Sequence, residues 1–318
     1  MDEFPVNPFR PGQPLADAGL FAGRADQLRR GRQLVTQIAA GNPRHALVTG
    51  PRGIGKSTFA LAVQGLARGE RQYLELLAED SASSSRAILV AEYVGQRGES
   101  AADLAAGWAR RLKRQTTFSI GVEIDEAEIS AFVAKFRVRK KAPEGGSIAT
   151  LLIDSLETVW DRVSASYDGL LLYADELDQF ADGEAVASFL KVLTEQLAIR
   201  GLRNVGLLIV GQEDLLPTLL AGHASVGRVF QQIHLPPFED DDVRDLLENA
   251  LVGTGVNIDA DAERTVIGFA EGYPAAVHLL GYEAFDVAIE SRATVIDTGV
   301  IERSVARLAG RGEYPARD

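Results

Sequence analysis

The sequence predicts a doubly wound α/β domain, a parallel sheet with helices on both faces, followed by an all-helical C-terminal region. Three observations carry this. Short apolar runs at His45–Thr49, Ala87–Val90, Leu170–Ala174 and Val205–Val210 are separated by helix-period segments, the pattern of strand–helix–strand units. Leu170-Leu-Leu-Tyr-Ala174 is apolar without alternation, as in a strand covered on both faces of a parallel sheet. After Leu235-Pro-Pro-Phe238 the pattern is helical to the end.

Taken in order, Asn7-Pro-Phe-Arg-Pro11 holds too much proline for a helix or a central strand. A helix is expected from Asp26 to Ala40, stopped by Gly41-Asn-Pro43. The strand His45–Thr49 runs into Gly50-Pro51-Arg52-Gly53-Ile54-Gly55-Lys56-Ser57, and a helix starts at Lys56, with Phe59, Leu61, Val63 and Leu66 on a mixed face. The strand at Ala87–Val90 precedes a helix carrying Trp108 and Leu112, which the run Arg110-Arg-Leu-Lys-Arg114 is expected to end. Residues 115–147 show no clear period, and Pro143-Glu-Gly-Gly146 reads as a loop. A helix from Ile148 to Val163 leads into the strand ending at Asp175-Glu176, and the strand Val205–Val210 is closed by Gly211-Gln212. No internal repeat is present.

Residues 50–57 have the composition of a phosphate cradle. Glycines at 50, 53 and 55 let the backbone curl until successive N–H groups point at one phosphate chain. The helix behind the loop aims its positive end at the same anion. In this pattern Lys56 reaches the β- and γ-phosphates as a point charge, and the Ser57 hydroxyl completes the shell of a Mg²⁺. Thr58 is a spare hydroxyl expected to pack.

Asp175 and Glu176 emerge at the carboxyl end of their strand, where open α/β sheets bind ligands. Asp175 would hold Mg²⁺, directly or through a water, and Glu176 would orient and activate an attacking water. Asp178 is expected to be a solvated helix residue.

Composition narrows the remaining classes. With 318 residues, 46% of them apolar, the chain can bury a large core in two domains, expected over 1–237 and 238–318. No apolar stretch approaches the ~20 residues of a membrane span, and the N-terminus lacks a secretory pattern. The chain is therefore expected to be neither exported nor membrane-embedded, and the nucleotide triphosphate that the loop pattern implies points to the cytoplasm. A net charge of −12 opposes nonspecific nucleic-acid binding over the whole surface. With no cysteine there is no thiolate zinc site, and His45, His223, His234 and His278 show no metal-ligand spacing. Two basic clusters, Arg110–Arg114 and Lys135, Arg137, Arg139, Lys140 and Lys141, could contact phosphate backbones. A solvated face or protection of an edge strand is the favoured reading of both.

Phe21-Ala-Gly23-Arg24, the loop at 50–57, Asp175-Glu176, the strand ending Gly211-Gln212 and Gly227-Arg228 through Phe238 resemble the AAA+ P-loop ATPases in order and spacing. Within them the chain looks like the branch containing origin-recognition-type initiators, TniB-like and ExeA-like ATPases and the related STAND ATPases. The resemblance covers residues 5 to 290 and implies an AAA+ core with a C-terminal helical lid, and ATP·Mg²⁺ in the cleft between them. Carried over residue by residue, it puts Phe21, Gly23 and Arg24 on the adenine side and adds Gly50, Pro51, Arg52, Gly53, Ile54, Gly55, Lys56, Ser57 and Thr58 as the nucleotide loop. It makes Gln212 a polar sensor of the γ-phosphate. Arg228 becomes an arginine that reaches a neighbouring subunit's site, a role worth ~10³–10⁵ in turnover, or else an ordinary exposed arginine. Leu235–Phe238 becomes the hinge into the lid, and Glu239-Asp-Asp-Asp242 a first turn whose acids offset the helix dipole.

The replication branch commonly places an arginine in the lid after a glycine. Here the sequence is Gly272-Tyr273-Pro274-Ala-Ala-Val-His278, as in the STAND and initiator-like offshoots, so Tyr273 or Pro274 would touch nucleotide and His278 would be an ordinary helix residue. The chain ends near the last lid helix, which leaves no room for the initiators' winged helix and makes direct origin binding unexpected. The leading expectation is an ATPase that hydrolyses ATP to drive conformational change or assembly, homo-oligomeric on ATP binding, acting on a protein or nucleic-acid partner. The alternative is a slow-turnover switch or scaffold in which ATP selects one conformation.

Overall fold

The computed structural model describes residues 6–78, 87–120 and 145–313. The cationic segment 135–141 lies outside the described residues. Two compact units form, one of Asp26–Gly50 and Ala62–His234, the other of Met1–Ala25, Pro51–Leu61 and Leu235–Asp318.

The first unit holds a five-stranded sheet: β1 (His45–Thr49), β2 (Ile88–Val94), β3 (Gly169–Asp175), β4 (Val205–Gly211) and β5 (Phe230–His234). The order is β2-β3-β4-β1-β5 and every pair is parallel. The helices that accompany it are α1 (Ala25–Ala39), α2 (Lys56–Arg68), of which residues 62–68 belong to this unit, α3 (Arg71–Glu75), α4 (Ala101–Ile120), α5 (Gly145–Val163), α6 (Gly183–Ile199), α7 (Leu215–Gly222) and α8 (Val226–Val229).

β1, β3 and β4 are buried along their whole length, which is why they read as unbroken apolar runs. On one face Leu170, Leu172, Ala174, Leu207 and Ile209 join a core with Trp108 of α4, Leu152 of α5 and Phe189 of α6. Trp108 donates its indole N–H to Tyr173 O at 2.7 Å and stacks on Phe189 at 6.5 Å, so its one polar atom is satisfied in the core. On the other face Ile38 of α1 fills the space that Cβ atoms on Gly169 and Gly206 would occupy. Asn204 ties this face together, donating to Ile38 O, Ala39 O and Asp168 O at 2.9–3.3 Å.

Three sequence expectations differ from this. α4 runs on to Ile120, so Arg110–Arg114 lies inside the helix, where Arg111 pairs with Glu92, and does not end it. α5 starts at Gly145, three residues before the expected Ile148. β5 was not anticipated, because Phe-Gln-Gln-Ile-His is an edge strand with only two buried positions.

In the second unit α9 (Asp240–Leu251), α10 (Ala260–Ala270), α11 (Pro274–Glu290) and α12 (Thr298–Arg311) surround a separate apolar core. A two-residue parallel bridge, β6 (Asn257–Ile258) with β7 (Val295–Ile296), interrupts what the sequence presented as wholly helical. α9 opens with a capping box between Glu239 and Asp242, so the acidic run bonds the helix start as well as offsetting its dipole. Buried Glu283 of α11 takes Arg307 and Arg311 of α12 as partners. The proline-rich lead packs here. Phe9 sits against Gly281, where a Cβ would lie 2.5 Å from its ring, and Asn7 donates to Tyr282 O and Asp286 Oδ1. Among the described residues no helix is long and apolar enough to cross a membrane.

Each unit buries one neutral histidine. His45 accepts from Leu207 N–H at 3.2 Å, and burial pushes its pKa down to about 4. His278, interior in α11, accepts from Arg10 N–H at 3.4 Å and is pushed down to about 4 by burial and then by Arg10. Both folded values lie below the unfolded 6.5, so the stability from keeping these rings neutral is complete above pH 6.5 and is lost as pH falls toward 4. The unfolding free energy should therefore fall on acidification, by up to about 3 kcal/mol per histidine, and urea midpoints with it. A His45→Gln, His278→Gln double variant should lose that part of the slope. Midpoints unchanged between pH 6.5 and 4.5 in the wild type would contradict the assignment.

Candidate nucleotide site

In the sheet unit, parallel register sets Thr49 beside Gly211 and Val94 beside Asp175. Gly50, Asp175-Glu176 and Gln212 thus all leave the sheet at its carboxyl end, the end at which open α/β sheets bind ligands. Asp175 is buried and oriented at both oxygens. Oδ2 accepts from the Tyr173 hydroxyl at 2.8 Å and Oδ1 from Glu176 N–H at 2.9 Å. Burial and then the neighbouring Asp175 carboxylate push the Tyr173 phenol far above its usual range, so it stays a donor.

Glu176 sits in the left-handed region at φ 57°, ψ 36°, and its side chain is exposed. A non-glycine residue there costs ~1–2 kcal/mol, and strain of this kind gathers at functional sites. Gly95 permits the corner. Its N–H donates to Asp175 O at 2.8 Å, and a Cβ would come within 2.8 Å of Glu176 O and 2.6 Å of the Phe180 ring.

Gln212 is held by a residue that sequence reasoning assigned to solvent. Asp178, half-buried in the 3₁₀ turn Leu177–Gln179, accepts from Gln212 N–H at 3.1 Å and from its amide Nε2 at 3.3 Å. The signal available was its spacing, three residues after Asp175, where a turn folds back toward the next strand. Asp178→Ala should free the Gln212 amide and lower ATP turnover by about 3–30-fold with ATP affinity nearly unchanged, since the two bonds lost hold Gln212 and do not touch nucleotide. An equal loss of affinity and turnover would show that Asp178 supports the fold instead.

The second unit carries the loop. Gly53 and Gly55 take φ of 78° and 93°, values that strain any residue with a Cβ. Ile54 is fully buried and anchors the loop, while Arg52 is exposed and Pro51 half-buried. Lys56 Nζ donates to Pro51 O at 2.8 Å. Ser57 stands in the first turn of α2, and Thr58 accepts from Leu15 N–H at 3.1 Å, a packing role for its hydroxyl. The N–H groups of Gly53 and Gly55 take no acceptor among the described residues. Unpaired donors on a glycine cradle fit an anionic phosphate chain.

Two further elements of this unit touch the loop. Arg24 is buried, in the left-handed region at φ 63°, with Nη2 donating to Ile54 O at 3.2 Å. Its guanidinium lies 4.6 Å over the Phe238 ring, and burial pushes its pKa down to about 10 against the opposing pull of Asp242. Gly23 is required beside it, because a Cβ would meet Asp242 Oδ1 at 2.6 Å. Phe21 is half-buried and closes the turn Ala18–Leu20 through its N–H to Ala18 O. At the start of α11, Ala275 N–H donates to Gly53 O at 3.2 Å, and Tyr273 and Pro274 lie within 3.9 Å of where Cβ atoms on Gly53 and Gly55 would stand. The lid turn therefore bonds the loop backbone directly. Arg228 is exposed on α8 in the sheet unit.

Among solved structures the chain is similar to the ORC1 protein of Aeropyrum pernix in complex with DNA, with 17% identity and TM-score 0.52 over 91% of this chain and 66% of that one. The similarity to Cdc6p of Pyrobaculum aerophilum has 16% identity and TM-score 0.59 over 96% of this chain and 72% of that one. For the ADP form of the Aeropyrum pernix ORC2 protein the values are 16% and 0.58, over 88% and 67%. At these identities the likeness establishes the fold, and the chain spans about two thirds of the length of the first of them. No curated protein matches it. Residues 20–210 match the model of the AAA ATPase domain. That match takes in the loop, the acidic corner and β4 as far as Val210 and covers more than half of the 318 residues, so the chain belongs to the AAA ATPase domain family.

Proposed function

We propose that this protein binds ATP·Mg²⁺ through residues 50–57 and hydrolyses it to drive a conformational change or assembly that acts on a partner. The observation that carries the reading is the loop itself, two left-handed glycines whose N–H groups take no acceptor among the described residues, ahead of Lys56 and Ser57. Lys56 leaves Pro51 O to meet the β- and γ-phosphates, and Ser57 and Asp175 are the protein oxygens for the metal, few in number as Mg²⁺ prefers. The ion, when bound, neutralises charge developing on the phosphates. Glu176 orients and deprotonates the attacking water, and Gln212 hydrogen-bonds the γ-phosphate or that water. Phe21 and Arg24 line the adenine side, with Tyr273 and Pro274 against the phosphates, and the working division into nucleotide-binding domain and lid falls near residue 237. A homo-oligomer formed on ATP binding, with Arg228 completing the neighbour's site, is part of this reading, as is a cytoplasmic location.

One observation favours a second reading, a slow nucleotide switch. The lid turn offers the loop a backbone N–H and a proline in place of an arginine, which tie lid position to loop conformation without adding charge to the transition state. The partner is proposed to be a protein. Nucleic acid is the lesser possibility, supported by the DNA bound to the ORC1 neighbour and by Lys135, Arg137, Arg139, Lys140 and Lys141.

Steady-state ATP hydrolysis per subunit, measured across protein concentration, separates the two. Specific activity that rises with concentration and is lost in Arg228→Ala supports the composite ATPase. Tight ATP binding with negligible turnover at every concentration supports the switch, and absence of ATP binding sinks both.

A further inference from the structure

The sheet unit has a cavity of about 880 Å³ at the amino ends of β1 and β5, the end of the sheet opposite Gly50, Asp175 and Gln212. Three arginines from three separate elements line it: Arg44 from the turn before β1, Arg203 from the turn before β4, and Arg228 from α8. None of the three makes an ion pair or side-chain hydrogen bond among the described residues. The one acid in the lining, Glu195, is already engaged by Lys191 at 3.2 Å. Between the arginines the wall is apolar, with Leu197, Leu202 and Phe230. Gln231, at the start of the edge strand β5, adds a buried Oε1 that has no donor among the described residues.

We propose that this cavity is a docking site for an acidic peptide segment of a partner protein that also carries apolar side chains. Guanidiniums recognise carboxylate and phosphate alike, by planar bidentate bonds. Two features choose between the sources. An apolar wall has no complement in a phosphodiester backbone but suits a leucine or phenylalanine. The orphan Gln231 oxygen needs a donor, which peptide N–H groups supply and phosphates do not. The volume lies in the range of pockets that enclose a drug-sized ligand or a few residues of peptide. The cavity lies at the end of the sheet opposite Asp175 and Gln212, and the substitutions at Arg44 and Arg203 spare Arg228, so peptide docking and ATP hydrolysis can be tested separately.

The test uses the full chain and fluorescence anisotropy. The probes are a fluorescein-labelled peptide alternating glutamate with leucine and phenylalanine, its lysine-for-glutamate counterpart, and a labelled thymidine oligonucleotide. The acidic peptide should bind, more weakly at high salt, and lose at least about 10-fold in affinity in an Arg44→Glu, Arg203→Glu variant. ATP turnover of that variant should be unchanged. Ala198→Trp, an exposed position in the cavity wall, should block the peptide without changing charge. The proposal is overturned if the wild type ignores the acidic peptide, if it binds both peptides alike, or if neither variant weakens binding. An oligonucleotide that binds more tightly than the peptide and is lost in the charge variant would also overturn it, in favour of a nucleic-acid site.

Discussion

Glu176→Gln is expected to lower steady-state ATP hydrolysis by about 10²–10⁴-fold while ATP affinity stays within a few-fold of wild type. The substitution is nearly isosteric and keeps a hydrogen-bonding side chain at the same corner, but it removes the only role for which the carboxylate is needed, taking a proton from water. Asp175 keeps both of its donors, Tyr173 and the backbone N–H of residue 176, so the metal position is preserved. The backbone at this position supplies a second arm to the argument. With φ at 57°, residue 176 carries the backbone strain of a side chain in a conformation that favours glycine. Glu176→Gly should therefore raise stability by about 1 kcal/mol while losing turnover as fully as the glutamine variant. A stabilised, inactive glycine variant is the signature of a residue kept for chemistry. If Glu176→Gln hydrolyses ATP at half the wild-type rate or more, Glu176 is not the base, and the corner is strained for some other reason.

What the sequence made legible is what buried polar-free strands and short-range spacing can carry. Leu170–Ala174 and Val205–Val210 read correctly because strands covered on both faces leave no polar position to confuse the period. The glycine loop read correctly because its backbone shape is dictated within eight residues. β5 was missed because an edge strand with two adjacent glutamines has neither alternation nor an apolar run. Arg110–Arg114 was assigned to a helix end on charge alone, although Arg111 finds its partner in Glu92 of β2, a pairing no local rule foresees. The contacts that hold the candidate site together are of the same long-range kind. Asp178 reaches Gln212 across 34 residues, Arg24 reaches Ile54 across 30, and the lead at Arg10 reaches His278 across 268. The residue types were visible, but their partners depend on topology.

Gly272→Ala should cost the protein about 2–4 kcal/mol and, with it, much of its affinity for ATP. Gly272 takes φ of 79°, which costs an alanine ~1–2 kcal/mol before any contact is counted. A Cβ there would lie 2.6 Å from Phe238 O, 2.8 Å from Pro237 Cβ and 3.0 Å from Phe238 N. Those are backbone atoms and a proline ring, so no side chain can swing away to make room. The bond from Phe238 N–H to Gly272 O, 2.8 Å long, would be stretched or broken, adding about 1 kcal/mol. The displacement would not stop there. Tyr273, Pro274 and Ala275 follow directly, and they are the residues that stand against Gly53 and Gly55 and donate to Gly53 O. Phe238, on the other side of the strained contact, carries the Arg24 guanidinium that holds Ile54 O. One methyl group thus disturbs both supports of the phosphate loop. Thermal melts with and without saturating ATP·Mg²⁺ check this: the variant should melt lower without nucleotide and gain less from ATP than the wild type does, because ligand stabilisation scales with affinity. If Gly272→Ala melts lower but gains as much from ATP as the wild type, the lid turn supports the helical unit alone and its bond to Gly53 does not shape the loop.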